Sequence, residues 1–183
     1  MKGRTMDVPS ETSRQQLDYP LSLLIALQTG ARSGHCYESA YPAFFACPDL
    51  FYPNGKFVEG WVVFEDASRV VLLEHGWLVA GKRIIDVTLV LQLAPCQPVH
   101  YFPGVVRSWA ETDALNNELF PHVRFSTYGE DGMKHPGYLA AYEAASRKAR
   151  ELMAPGNELI EVRATDSASQ ESDGKGWAET RWR

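Results

Sequence analysis

The sequence predicts an α+β fold: helices first, then an antiparallel β-sheet packed against them, then one closing helix. Three observations predict it. Between residues 17 and 45 the apolar side chains recur at helical spacing. From Lys56 to Arg107, runs rich in Val, Ile, Phe and Trp follow one another across short turns. From His135 to Met153 an Ala-rich stretch carries Pro near its start and Lys and Arg towards its end.

Each element has its own signal. Residues 1–12 form a polar lead-in, and a domain is expected over 13–154. The first helix, from Ser13, rests on Leu17, Leu21, Leu24, Ile25 and Gln28, with Pro20 near its start. Gly30 and Gly34 bracket a turn. Tyr37, Ala40, Tyr41, Phe44 and Phe45 then define a second helix, with Pro42 marking a kink or an early end. KFVEGWVVF, VVLLEHGWLV and KRIIDVTLVLQL read as three strands, and VHYFPGVVRSW as a fourth, interrupted at Pro103-Gly104. Ser108 and Glu111 have the spacing of a capping box that opens a short helix, and HVRFSTYG reads as a further strand. Residues 155–183 turn polar and rich in Ser, Asp and Glu, and are expected to form a disordered tail.

Composition narrows the function classes. At 183 residues the chain can bury a real core, and 45% apolar with 22% charged residues is ordinary for a globular protein. A net charge of −5, without a Lys/Arg stripe, argues against nucleic acid as partner. No run approaches the roughly 20 apolar residues of a membrane span, and MKGRTMDVPSETSRQQ has no signal-peptide core. Three cysteines are odd in number and too sparse for a disulfide framework, which suits a reduced, cytoplasmic setting. An effector exported without a standard signal peptide fits the same sequence. Cys36, Cys47 and Cys96 sit in no CxxC or HxxxH spacing, so no metal is expected. No P-loop or dinucleotide fingerprint is present, so no cofactor is expected either.

The chemistry centres on Cys36, which follows a Gly-containing turn and opens the second helix. There the unpaired N–H groups and the helix dipole favour thiolate over thiol. If Ala80-Gly81 is a two-residue hairpin loop of type I′, His75 stands directly across from Asp86 on one face. A three-residue loop would instead set His75 against Val87 and send Asp86 to the other face. A carboxylate beside an imidazole fixes its tautomer and stabilises the imidazolium. With the Cys36 helix packed on that face, Cys36, His75 and Asp86 become nucleophile, base and orienter. Alone, Cys36 reads as a small buried hydrophobe and His75 as a satisfied core histidine. Asp86 within IIDVTLV requires a partner, and His75 is the nearest one.

These residues also resemble a family. Gly34-His35-Cys36 entering a helix, then His75-Gly76-Trp77, then Asp86-Val87-Thr88, resembles the core of the transglutaminase-like cysteine superfamily. The arylamine N-acetyltransferase branch carries Arg-Gly-Gly-x-Cys-x-Glu-x-Asn. Arg32, Gly34, Cys36 and Glu38 match that pattern, Ser33 and Ala40 depart from it, and Thr88-Leu-Val stands where that branch has Gly-Phe-Gly. The resemblance spans about residues 28–106 and implies a papain/transglutaminase-like core with a Cys-His-Asp triad and a covalent acyl-enzyme.

A thiolate backed by His75 would attack the acyl carbon of a protein, peptide or small amide. Water as acceptor gives an amidase, peptidase or deamidase, and an amine gives a transferase. The Cys36 N–H and the Gln28 side chain are candidate oxyanion donors. Glu59, Trp61, Trp77, Tyr101 and Phe102 are candidate cleft residues, and Trp77 alternatively shields the imidazole. Glu38 should point away from the thiol and pair with Arg32, and Glu74 should point away from the triad. The competing reading is a non-catalytic interaction protein on the same scaffold, with Trp177 and Trp182 binding a partner.

Overall fold

The computed structural model describes residues 15–119 and 133–163. The elements are β1 (Gln16–Leu17), α1 (Tyr19–Thr29), α2 (Cys36–Ala46), α3 (Pro48–Phe51), β2 (Lys56–Asp66), β3 (Arg69–Ala80) and β4 (Arg83–Ile85). A 3-10 turn (Leu89–Leu91), β5 (Val99–Ser108), α4 (Trp109–Leu119), α5 (Pro136–Leu152) and β6 (Glu158–Val162) follow. The fold is α+β around a mostly antiparallel sheet of order β1-β4-β3-β2-β5. The lead-in, the expected strand HVRFSTYG, Trp177 and Trp182 lie outside the described residues.

The long hairpin β2–β3 is the spine, and its apolar residues on both faces are buried. On one face Val58, Val62, Phe64, Val71, Leu73, Trp77 and Val79 pack under Leu89 and Leu93. The other face is divided between two covers. Ala40, Ala43 and Phe44 of α2 pack on Phe57, Leu78 and Ala80, while Tyr138, Ala141, Ala145 and Ala149 of α5 pack on Trp61, Val63, Val70 and Leu72. Each large apolar side chain so buried contributes roughly 1.5–3 kcal/mol.

Several expectations are corrected. Gln16–Leu17 is a short strand parallel to β4, and the first helix starts at Tyr19 behind Asp18, whose carboxylate accepts the Leu21 N–H at 3.2 Å. The second helix runs through Pro42 to Ala46. The third expected strand is strand only over Arg83–Ile85, after which the chain turns. Pro103-Gly104 does not interrupt β5. That strand is an edge, where a missing N–H is tolerated, and Gly104 is the extra residue of a bulge.

The capping box is present in both directions: the Ser108 N–H donates to Glu111 Oε2 at 2.7 Å, and the Glu111 N–H to Ser108 Oγ at 3.3 Å. Residues 158–162, expected within the tail, form β6, which pairs parallel to Arg69–Leu73 of β3. Three apolar residues in the five of ELIEV are a faint signal beside a long polar stretch.

Candidate functional site

β3 is the element on which the site is built. Along one edge it pairs with β2 throughout. Along the other it pairs with β6 up to Leu73 and with β4 from Leu78, so residues 74–77 are paired on one side only. His75 sits in this gap, opposite Gly60 of β2.

The β3–β4 turn brings Asp86 to it by a register other than the expected one. Ala80 pairs with Arg83, so the two-residue loop is Gly81-Lys82. Gly81, with φ of 63°, holds the first turn position and is the only turn residue at positive φ, which is the type II′ pattern. The ladder ends at Ile85, and Asp86 lies in the turn beyond it. Moving the loop by one residue changes every partner yet preserves face parity, because the loop length is the same. Asp86 therefore stays on the His75 face and reaches it diagonally: Oδ2 lies 2.8 Å from His75 Nε2.

Asp86 divides its two oxygens between local and distant partners. Oδ1 accepts the Thr88 N–H at 3.1 Å, the Thr88 hydroxyl at 3.2 Å and the Leu89 N–H at 3.0 Å, which shapes the turn. Oδ2 receives Tyr101 Oη at 2.9 Å as well as His75. The Asp86 N–H donates to Ser22 Oγ at 3.0 Å, and Ser22 donates to the Asp18 carbonyl at 2.6 Å, tying the turn to the start of α1. His75 is 2% exposed and Asp86 is fully buried. A lone carboxylate there would cost several kcal/mol, which this set of donors offsets.

Cys36 is the first residue of α2, behind Gly34 at φ 79°. The body of α2 covers the sheet face opposite His75, not the His75 face as expected from sequence. Tyr37 lies so close to β3 that a Cβ on Gly76 would sit 2.7 Å from its ring. Cys36, one residue earlier, lies close enough to His75 to help raise the pKa of the ring, second to Asp86. Nε2 belongs to Asp86, and Nδ1 makes no hydrogen bond of ordinary geometry, so Nδ1 is the ring atom left for the thiol.

Burial by itself would lower the His75 pKa. The Asp86 carboxylate, followed by Cys36, outweighs it and pushes the ring up to about 10. Burial works against ionised Asp86 too, but His75 and the Thr88 and Leu89 N–H groups hold its pKa below the usual carboxylate value. The Tyr101 hydroxyl is pushed well upward, by burial first and by Asp86 second.

The other sequence candidates fall elsewhere. Trp77 is 1% exposed and stacks near-parallel to His75 at 6.3 Å, so it shields the ring and lines no open cleft. Tyr101 is a hydrogen-bond donor to Asp86 and packs edge-on to Trp77. Glu59 and Trp61 face the opposite side of the sheet: Glu59 pairs with Arg107 at 2.6 Å, and Trp61 packs on Tyr142, as alternation along β2 requires. Phe102 is on that side too. Gln28 is exposed near the end of α1 and makes no hydrogen bond to Cys36, His75 or Asp86. Glu74 faces away from His75 and accepts a hydrogen bond from Tyr138. Glu38 and Arg32 are both exposed and form no ion pair with each other.

Ser22 and the Tyr101–Asp86 bond were not readable as site features. Thr88 was within reach, since Asp-x-Thr ahead of a short helical turn is an Asx-type signal. Among the described residues no group of three or more His, Cys, Asp or Glu side chains is placed to hold a metal ion, and no helix is long and apolar enough to cross a membrane. No protein-family model, no curated protein and no solved structure matches this chain.

Proposed function

We propose that the protein is a thiol-dependent acyl-transfer enzyme in which Cys36 is the nucleophile, His75 its proton partner and Asp86 the orienting carboxylate. The observation that carries this reading is one buried imidazole, bonded through Nε2 to Asp86 at 2.8 Å and with Nδ1 left for the thiol that begins α2. The transglutaminase-like resemblance of the same three motifs supports it, and the fold is read as that superfamily's papain-like core.

In this reading the Cys36 proton passes to His75, giving a thiolate beside an imidazolium. From that pair the sulfur attacks the acyl carbon of an amide, forming a C–S bond while the carbonyl electrons move onto oxygen. The N–H of Cys36, at the start of α2, is a candidate donor for that oxyanion. Collapse breaks the C–N bond, and the His75 proton leaves with the amine. Water or a second amine then takes the acyl group from Cys36. Such a thiol suits a reducing, cytoplasmic setting, and no cofactor takes part.

Profiling the protein and Cys36→Ala against peptide amides, glutamine side chains and acyl-CoA donors tests the reading. Turnover of one class by the wild type alone supports it. Equal turnover by both proteins contradicts it.

A further inference from the structure

Asp86 is the first residue past the β3–β4 ladder, whose last pair joins Leu78 to Ile85. On its other edge β4 is accompanied by β1, where Gln16 and Leu17 pair with Arg83 and Ile84. That ladder also ends here: the Asp18 N–H donates to the Ile84 carbonyl at 2.9 Å, and the chain then turns into α1. The next group along this edge is the Asp86 N–H, a buried donor that no strand can meet. Ser22, in the first turn of α1, meets it instead, with Oγ accepting at 3.0 Å. Ser22 is itself fully buried, and its own proton goes to the Asp18 carbonyl at 2.6 Å, so the oxygen is left as an acceptor for Asp86.

The same side of α1 holds the far end of the segment. Tyr19, three residues before Ser22, places its hydroxyl 3.0 Å from the Val90 carbonyl and 3.1 Å from that of Leu93.

We propose that Ser22 is a positioning residue for the Asp86–His75 bond, setting the direction from which the carboxylate meets the ring. Its effect on Cys36 rests on the acyl-transfer reading. Val87, Leu89 and Val90 pack into the core on either side of the sheet and place the turn as a body. Apolar packing has no direction of its own, however. The bonds that Oδ1 accepts from Thr88 and Leu89 lie inside the turn and rotate with it. The Ser22 bond ties the backbone of Asp86 to a different element, so it sets that rotation relative to β3. Direction matters here because Oδ2 has to meet both His75 Nε2 at 2.8 Å and Tyr101 Oη at 2.9 Å.

Ser22→Ala removes the acceptor and leaves the Asp86 N–H buried without one. Tyr19→Phe loosens the same segment at its far end and shows what lost stability alone does. The readouts are the His75 titration, from its imidazole NMR signals, and the rate of Cys36 alkylation by iodoacetamide at neutral pH. The groups that act on the ring are Asp86 and Cys36, with Tyr101 on the shared oxygen, so a poorer Asp86 contact moves the titration to lower pH. Ser22→Ala is expected to lower it by about one pH unit, a tenfold weaker hold on the proton, and to slow Cys36 labelling by a similar factor. Tyr19→Phe is expected to titrate as the wild type does. If Ser22→Ala does not fold, Ser22→Cys, which puts a weak acceptor in place of the hydroxyl, is read by the titration instead. A folded Ser22 variant with the wild-type titration overturns the proposal, and so does an equal shift in Tyr19→Phe. A lowered titration in Ser22→Ala, with Cys36 labelling unchanged both there and in His75→Gln, supports the Ser22 link and overturns the acyl-transfer reading.

Discussion

Tyr101 donates a hydrogen bond of 2.9 Å to Oδ2 of Asp86, the oxygen that also meets His75 Nε2 at 2.8 Å. The phenol and the imidazole thus share one buried acceptor. A phenolic donor draws charge from that oxygen and weakens its hold on the imidazolium proton. Tyr101→Phe is expected to move the His75 titration to higher pH, read from its imidazole NMR signals. A titration that stays in place or moves lower contradicts the shared-acceptor arrangement.

Asp86 itself separates orientation from fold. Asp86→Asn keeps an Oδ1 for Thr88 and Leu89 but can present an N–H to the ring, which favours the wrong tautomer. By analogy with the serine-protease triad, turnover is expected to fall by about 10⁴-fold with modest loss of stability. Asp86→Ala also removes the acceptors that shape the turn. It is expected to cost about 3–5 kcal/mol in a urea titration, the range for breaking a buried ion pair. Comparable unfolding by both variants contradicts this division.

The His75 shift also makes stability depend on pH. The folded ring, at about 10, lies above its ordinary value of 6.5 because Asp86 and Cys36 overcome the effect of burial. Its protonation therefore contributes stability in full below pH 6.5, and that contribution is lost as pH rises through about 10. Asp86 runs the other way. Its contribution is present above the ordinary value of 3.8 and is lost as pH falls through the lower folded value. The melting-temperature difference between wild type and His75→Gln is expected to shrink across the alkaline window. A difference that stays constant there contradicts the raised pKa.

β6 carries a separate prediction. Its five residues add a parallel ladder to β3 just below His75, so ending the chain before Glu158 exposes that edge. The shorter chain is expected to melt several degrees below one ending after Arg163. Equal melting temperatures would mean that the ladder contributes nothing.

Much of the fold was legible because it rests on local signals. Alternation and β-branched residues marked β2, β3 and β5, and the helical spacing of Tyr37, Ala40 and Phe44 marked α2. The face shared by His75 and Asp86 was legible too, because parity depends on loop length and survived a misplaced loop. What escaped depends on long-range geometry. Nothing local in IIDVTLV says that the ladder stops at Ile85, since a buried turn is as apolar as a buried strand. Glu59 and Trp61 were assigned to a cleft by composition, though alternation along β2, opposite Gly60 and His75, sets them on the other face. Tyr138 lies 63 residues beyond His75 in the chain, and its bond to Glu74 forms only once α5 is docked.

The central claim, that His75 activates Cys36, is tested most directly by peptide-mapped rates of iodoacetamide labelling at neutral pH. The other two thiols serve as internal references: Cys96 is exposed, and burial pushes the pKa of Cys47 upward. The claim predicts that Cys36 labels faster than exposed Cys96, and that His75→Gln slows Cys36 without changing Cys96. Cys36 labelling no faster than Cys96, or at one rate with and without His75, would contradict it.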